Sequence, residues 1–475
     1  MSGAMPQARC PAGTGQAEQA SGAGRAGQAV TVAQARPGLT RRAWLPMAGA
    51  LCGPLLAACD ATFGRGTPGA GPKAQGPARV TFWNYGGGGV SDQLFEAVAQ
   101  EYRKQFPAVT LERTGIPSGE IQDKLVVSWT SDVVPDLVMD SNRGFLRFMD
   151  SGWFLDITKE FSTRRLKQSD FYEVPTRAYQ IDGKQYGMPQ GWGTSLYLLN
   201  LDIFERNGVP LAPGFDENWT QDDFVRMLKS VVKYDGQGRH DPVGGCDDSI
   251  FFHWLYSYGG DFLSPDKSKA ATDSPEALAA AEWYARVHTG ERVFMRDGID
   301  KRPELNFNQG TIAATANGIP NGIIDYAKIP ARVNVFLKPN APKGRNHRMY
   351  LDGYFIFKDT RARDATVDFL FWLLDEGARV IEENGGNNIP SNKKVAEDVW
   401  LKTMTQFNKK RWLEAAATAR PDPLHAKWVP DLQTIYSKYS GQLRSAQAGP
   451  REAMANMTSD VNAVLDEYRR QRGTK

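Results

Sequence analysis

Apolar residues recur along this chain with two periods, and the periods alternate. Val80-Thr81-Phe82-Trp83 is a short β-rich run. Residues 91–106 then place Phe95, Val98, Tyr102 and Phe106 on one helical face. Residues 110–115 read as a strand, and Ser118 can cap a helix carrying Ile121, Leu125 and Trp129. Asp136-Leu137-Val138-Met139 reads as a buried strand, with a helix near 145–149. Strand and helix alternate, which predicts a doubly wound α/β layer.

The pattern continues with punctuation. Residues 179–189 read as a hairpin turning at Asp182-Gly183. Residues 195–200 are a further strand. Thr220 and Asp223 form a capping box ahead of Phe224, Met227, Leu228 and Val231. Ser274-Pro275 starts a helix by the N-cap and first-position-proline rule. Residues 306–317 and 349–357 read as strands. The end is helical: Val367, Leu370, Phe371 and Leu374 share one face, and Met454, Met457, Val461, Leu465 and Tyr468 another.

Composition changes the picture at one end. The chain of 475 residues has 57 basic and 54 acidic residues and is 41% hydrophobic, which is globular and gives no footprint for nucleic acid. The charge is uneven. Residues 1–58 hold five Arg and one acid, a net +4, so the remainder carries −1. Residues 1–40 have almost no large apolar side chain and cannot bury enough surface to fold. Arg41 and Arg42 precede an apolar run of 16 residues, 43–58, that is short for a bilayer. A basic region before a short apolar one is the secretory signal pattern, and the Arg pair resembles a twin-arginine export motif. The run ends in Leu56-Ala57-Ala58-Cys59, which resembles the lipobox of bacterial lipoproteins. Residues 1–58 are therefore expected to be a signal peptide, and Cys59 a lipidated N-terminus. Residues 60–78 hold five Gly and three Pro among 19. They read as a flexible tether with a reach of ~25 Å.

The ordered motifs resemble the family 1 extracellular solute-binding proteins of bacterial ABC transporters, in their sugar-binding branch. The segments that carry the resemblance are VTFWNYGGGG at 80–89, DLVMDS at 136–141, GWFLDIT at 152–158 and YGMPQGWGTSLYLLNLDIFERNGV at 186–209. ENWTQDDFVRMLK at 217–229, YGGDFLS at 258–264, FNQGTIAATANG at 307–318 and GGNNIPSNKKV at 385–395 follow in family order. The resemblance implies two α/β lobes, each a doubly wound sheet with helices, and a ligand cleft between them. It places the chain crossings near 191–195, 311–315 and 353–355. Residues 79–193 and 312–354 are then expected in lobe 1, and 194–311 and 355–475 in lobe 2 with the C-terminal helices. It also implies a monomeric receptor, anchored to the cell membrane, that hands a mono- or oligosaccharide to ABC permease subunits. Such a receptor is expected to do no chemistry and to need no cofactor or metal.

A sugar offers hydroxyls and apolar C–H faces, so its site needs aromatic rings and planar polar groups. Loops after strands are where α/β clefts put them. Trp83, Asn84 and Tyr85 precede four glycines at the first strand–helix junction. A phosphate cradle there lacks the Lys-Ser/Thr ending of a P-loop, and the bland alternative puts Trp83 in the core. Asp140 and Asn142 follow the 136–139 strand, where a helix N-cap is the alternative. Trp192 lies beside the expected hinge. Trp254 and Tyr258 lie in an aromatic helix, where core packing is the usual fate. Asn317 follows the second crossing, and Asp352 and Tyr354 sit at the third. Asn387 and its neighbour Asn388 read as ligand contacts or as turn residues. Among enzymatic motifs there is no HExxH, CxxC or GxSxG. A calcium-loop reading of 235–241 fails because Arg239 occupies a ligand position.

Overall fold

In the computed structural model, β1 (Ala78–Tyr85), β2 (Val109–Ile116) and β3 (Leu137–Ser141) form a parallel layer in the order β2-β1-β3. Residues 77–473 are described, apart from 87–89, Ser118, Asp132 and Asn387. Arg41, Arg42, Cys59 and the tether up to residue 76 lie outside the described residues. So do the expected Ser118 cap and the glycine run after Gly86.

The chain continues with the hairpin β4 (Gln180–Ile181) and β5 (Lys184–Gln185), turning at Asp182 and Gly183 with positive φ at both. This is the geometry that Asp-Gly supplies at low steric cost. Then come β6 (Met188–Thr194), β7 (Leu196–Asn200), β8 (Gly244–Asp247), β9 (Ile312–Gly318), β10 (Val333–Phe336), β11 (His347–Ile356), β12 (Ile389–Pro390) and β13 (Ala419–Arg420). The first sheet runs β12-β6-β11-β3-β1-β2, with β13 on β11. Beyond β3 the main path is antiparallel, because β11 returns against β3, β6 against β11 and β12 against β6, while β13 joins β11 in parallel. The second sheet runs β10-β7-β9-β8, with only β8 and β9 parallel.

Three chain passages join the sheets. Between β6 and β7 only Ser195 intervenes, and its N–H donates to the Arg348 carbonyl at 2.9 Å. The stretch from β10 to β11 returns from the second sheet to the first. A third passage leaves β13 for the last helices. Segment 312–354 thus gives β9 and β10 to the second sheet and β11 to the first. After residue 355, the helix Arg363–Trp372 covers the first sheet through Phe369 on Phe82, while the helices Gln433–Ser445 and Pro450–Gly473 pack with Pro275–Ala285 on the second lobe.

Local signals act as their chemistry demands. The Thr220 hydroxyl accepts from the Asp223 N–H, and the Asp223 carboxylate accepts from the Thr220 N–H at 2.8 Å, closing both ends of the box. Ser274 caps the helix begun by Pro275. Met454, Met457, Val461 and Leu465 are buried along the last helix, but Tyr468 instead reaches Asp150. One apolar core runs between the two sheets, joining Trp192 and Leu351 of the first to Leu198 and Val335 of the second.

Candidate functional site

The carboxyl ends of β1 and β3 and the middle of β11 meet at one edge of the first sheet. Asp140, next to last in β3, lies opposite Gly353, and Asp352 lies opposite Ser141 on one side and Gly191 on the other. The register of β11 shifts between Asp352 and Gly353. The extra residue is Gln190 of β6, since Asp352 pairs with Gly191 and Gly353 with Pro189. Gly353 leaves room for the Tyr179 ring, since a Cβ there would lie 2.6 Å from Tyr179 Cζ.

The cluster is polar and largely withdrawn from water. The Tyr85 hydroxyl donates to Asp140 Oδ1 at 2.8 Å, and the Ser141 N–H donates to the same oxygen at 2.7 Å. Asp140 Oδ2 is buried without a partner. Burial pushes the Asp140 carboxyl up to about 6, against the pull of the Tyr85 hydrogen bond. Asp352 is also pushed up to about 6, first by burial and then by the negative charge of Asp140. The Asn388 amide donates to Asp352 Oδ2 at 3.2 Å and opposes that rise. The Tyr179 hydroxyl is buried without a partner, and both carboxylates raise its pKa after burial has done so. Asn142 begins the next helix, buried, with an unpartnered amide nitrogen. The group can therefore accept hydrogen bonds through two carboxylates and donate through amides and hydroxyls.

Tyr85, Asp140, Asn142 and Asp352 are thus brought together from the positions singled out in the sequence. Trp83 lies on the same strand, half-buried, with the Lys124 ammonium 4.9 Å from its ring centroid. Trp192 is buried edge-on against Tyr172 at 5.0 Å, and its indole N–H has no partner. Asn317 is exposed, and its carbonyl accepts from the Tyr326 hydroxyl at 2.5 Å.

Other positions go elsewhere. Asn84 points to the opposite face of β1, where its side chain accepts from Arg113 at 3.0 Å. Strand alternation requires this of a residue between Trp83 and Tyr85. Tyr354 packs on Phe82 at 6.1 Å in the core beneath the sheet. Trp254 packs at a tilt against Trp283, centroids 3.9 Å apart, inside the second lobe, and its indole N–H donates to Asp248 at 3.0 Å. The Tyr258 hydroxyl donates to Gln221 at 3.0 Å. Asn387 lies outside the described residues.

A second polar group was not foreseen. Arg348 forms a two-pronged pair with Asp422 at 2.7 and 2.8 Å, and its guanidinium lies 4.8 Å from the Tyr350 ring centroid. Arg143, on the helix that begins at Asn142, approaches Asp422 at 3.5 Å. These four residues carry no local motif, and only the return of the chain through β13 assembles them. Among the described residues no group of three or more His, Cys, Asp or Glu is placed to hold a metal ion.

Comparison with known proteins agrees with this architecture. Residues 97–409 match the family model described as bacterial extracellular solute-binding protein, and the chain belongs to that family. A binding protein of Brucella abortus is 22% identical over 409 residues, covering 82% of this chain and 93% of the relative. The arabinooligosaccharide-binding protein of Bacillus subtilis is 27% identical over 184 residues, 37% of this chain and 40% of the relative. The crystal structure of the cyclic alpha-maltosyl-1,6-maltose binding protein from Arthrobacter globiformis superposes with a TM-score of 0.69 at 21% identity, covering 82% of this chain and all of that one. The fold is the two-lobe solute-binding arrangement with a cleft, and the family works outside the cytoplasm. Among the described residues no helix is long and apolar enough to cross a membrane.

Proposed function

We propose that this protein captures a carbohydrate in the cleft between its lobes and delivers it to an ABC permease. The observation that carries the reading is the cluster at the carboxyl edge of the first sheet: Tyr85, Asp140, Asp352 and Asn388 converge there with hydrogen-bonding capacity left over. Paired acceptors and donors on planar groups suit adjacent sugar hydroxyls. Arabinooligosaccharide and maltosyl-maltose, named for two relatives, are ligands of that chemistry. Capture works by population shift: a ligand that touches both lobes binds the closed form better and so draws the protein into it. The Cys59 lipobox then keeps the receptor, a monomer on its tether, beside the permease.

A thermal-shift screen of neutral oligosaccharides, peptides and polyamines tests the ligand class, because a specific ligand raises the midpoint by mass action. A saccharide is expected to shift it. A response to another solute alone overturns the carbohydrate assignment. The two raised carboxyls also favour a second reading, a glycoside-active enzyme. Cleavage products after incubation with the bound oligosaccharide would establish that reading instead.

A further inference from the structure

Where the chain passes between the lobes, a lysine is sealed inside the protein. Lys338 follows β10 on the return towards β11, and it is 1% exposed. Its ammonium nitrogen lies 3.0 Å from Ser195 Oγ, on the β6–β7 passage, and 2.8 Å from His253 Nδ1, on a helix of the second lobe. His253 Nε2 stands 3.1 Å from Asp248 Oδ2. That carboxylate also receives the Tyr197 hydroxyl at 2.7 Å and the Trp254 indole N–H at 3.0 Å. The Lys338 backbone N–H donates to His347 Nε2 at 3.2 Å, so His347 is neutral, and its Nδ1 meets Thr418 Oγ1 at 2.9 Å. Thr418 adjoins β13, from which the third passage departs. Every side chain in this series except Thr418 is buried.

A buried ammonium is costly to desolvate and is tolerated only when paired. Here the ammonium ties the return passage to the first passage at Ser195 and, through His253, to Asp248 in the second lobe. The link to Thr418 beside the third runs only through the Lys338 backbone N–H and His347. A lysine needed only to fill the core has an apolar substitute of similar shape.

We propose that Lys338 is a positioning residue for lobe movement, pinning the first two passages to one another and to the second lobe at the point about which the lobes turn. This rests on reading the lobes as the moving parts of a receptor. Parting the lobes must rotate the backbone at Ser195 and across 337–347, and that lets water reach the ammonium.

A dependence on pH follows. The groups facing Lys338 are Asp248, Cys246, His253, His347, Arg348 and the Tyr197 ring. In the arrangement seen, burial depresses the lysine from 10.5 to about 7, against the pull of Asp248. A wetter arrangement restores a higher value and binds the proton more tightly. Acid therefore favours the lobes apart, and alkali the packed arrangement.

The test is interlobe energy transfer in the full chain without ligand. Donor and acceptor dyes are attached by oxime chemistry to ketone side chains introduced at exposed Val127 of the first lobe and exposed Ile299 of the second. Wild type is expected to show efficiency rising between pH 5.5 and 8.5. Lys338→Met is expected to lose the part of the rise centred near pH 7, leaving at most the change near pH 6 that Asp140 and Asp352 supply. Ser195→Ala, which keeps the lysine, is expected to shift the efficiency while keeping the slope. A wild-type curve flat in pH, or variants that trace the wild-type curve, overturns the proposal. If Lys338→Met does not fold, Ser195→Ala and the wild-type slope decide. Because no ligand enters, failure here is separate from failure of the carbohydrate reading.

Discussion

Asp140 is stabilised too little for its burial. Its folded pKa is raised to about 6 from 3.8, so the native state holds its proton more tightly than the unfolded chain does. The stability linked to this group is present below about 3.8 and is lost as pH rises through about 6. At pH 7 the ionised form costs on the order of 1–3 kcal/mol. Asp140→Asn is therefore expected to leave the protein as stable or more stable in thermal melts at pH 7. The same variant is expected to weaken ligand binding tenfold or more, since a hydrogen bond to a charged group is worth about 1.5–3 kcal/mol. A neutral sugar bound to carboxylates prefers them ionised, so affinity should fall as pH drops through about 6. Calorimetric titrations at pH 5 and pH 7.5 check the sign. A loss of stability at pH 7 with unchanged binding would assign Asp140 to the scaffold alone.

Elements with local causes were legible in the sequence. The Thr220 box, the Ser274-Pro275 start and the Asp182-Gly183 turn each need only neighbouring residues. Asp352 beside Asp140 was not legible as a pair, because strand pairing of β11 with β3 joins distant segments and leaves no periodic trace. The aromatic residues were ambiguous for a similar reason. Tyr85 and Tyr354 look alike in sequence, and only strand facing sends one to the cluster and the other beneath the sheet. The glycines at 191 and 193 flank Trp192 beside the expected hinge, and the structure gives each a reason of close approach. A Cβ at 193 would lie 2.7 Å from Pro320 Cδ, and one at 191 would lie 2.8 Å from Asn388 Cβ. Gly193→Ala is expected to force that contact apart and destabilise by about 1–3 kcal/mol, read as a lowered denaturation midpoint. Thr220→Ala removes a cap instead and should cost about 1 kcal/mol without altering ligand affinity.

At the scale of the whole molecule, the two lobes and the proposed N-terminal signal and lipid anchor make one device only if the cleft takes a solute at the membrane face. The proposed lipid anchor has its own check. Growth of an expressing bacterium with radiolabelled palmitate should label the protein, and Cys59→Ala should abolish the label and release the protein from membranes. The central claim is capture of a carbohydrate by the cluster on the first sheet. The most direct measurement is isothermal titration of the protein with the saccharide found by screening, in parallel with Asp352→Asn. Saturable one-to-one binding, weakened tenfold or more by Asp352→Asn with the fold intact by circular dichroism, is the expected result. Heat from no saccharide in the panel, or binding that Asp352→Asn leaves untouched, would contradict it.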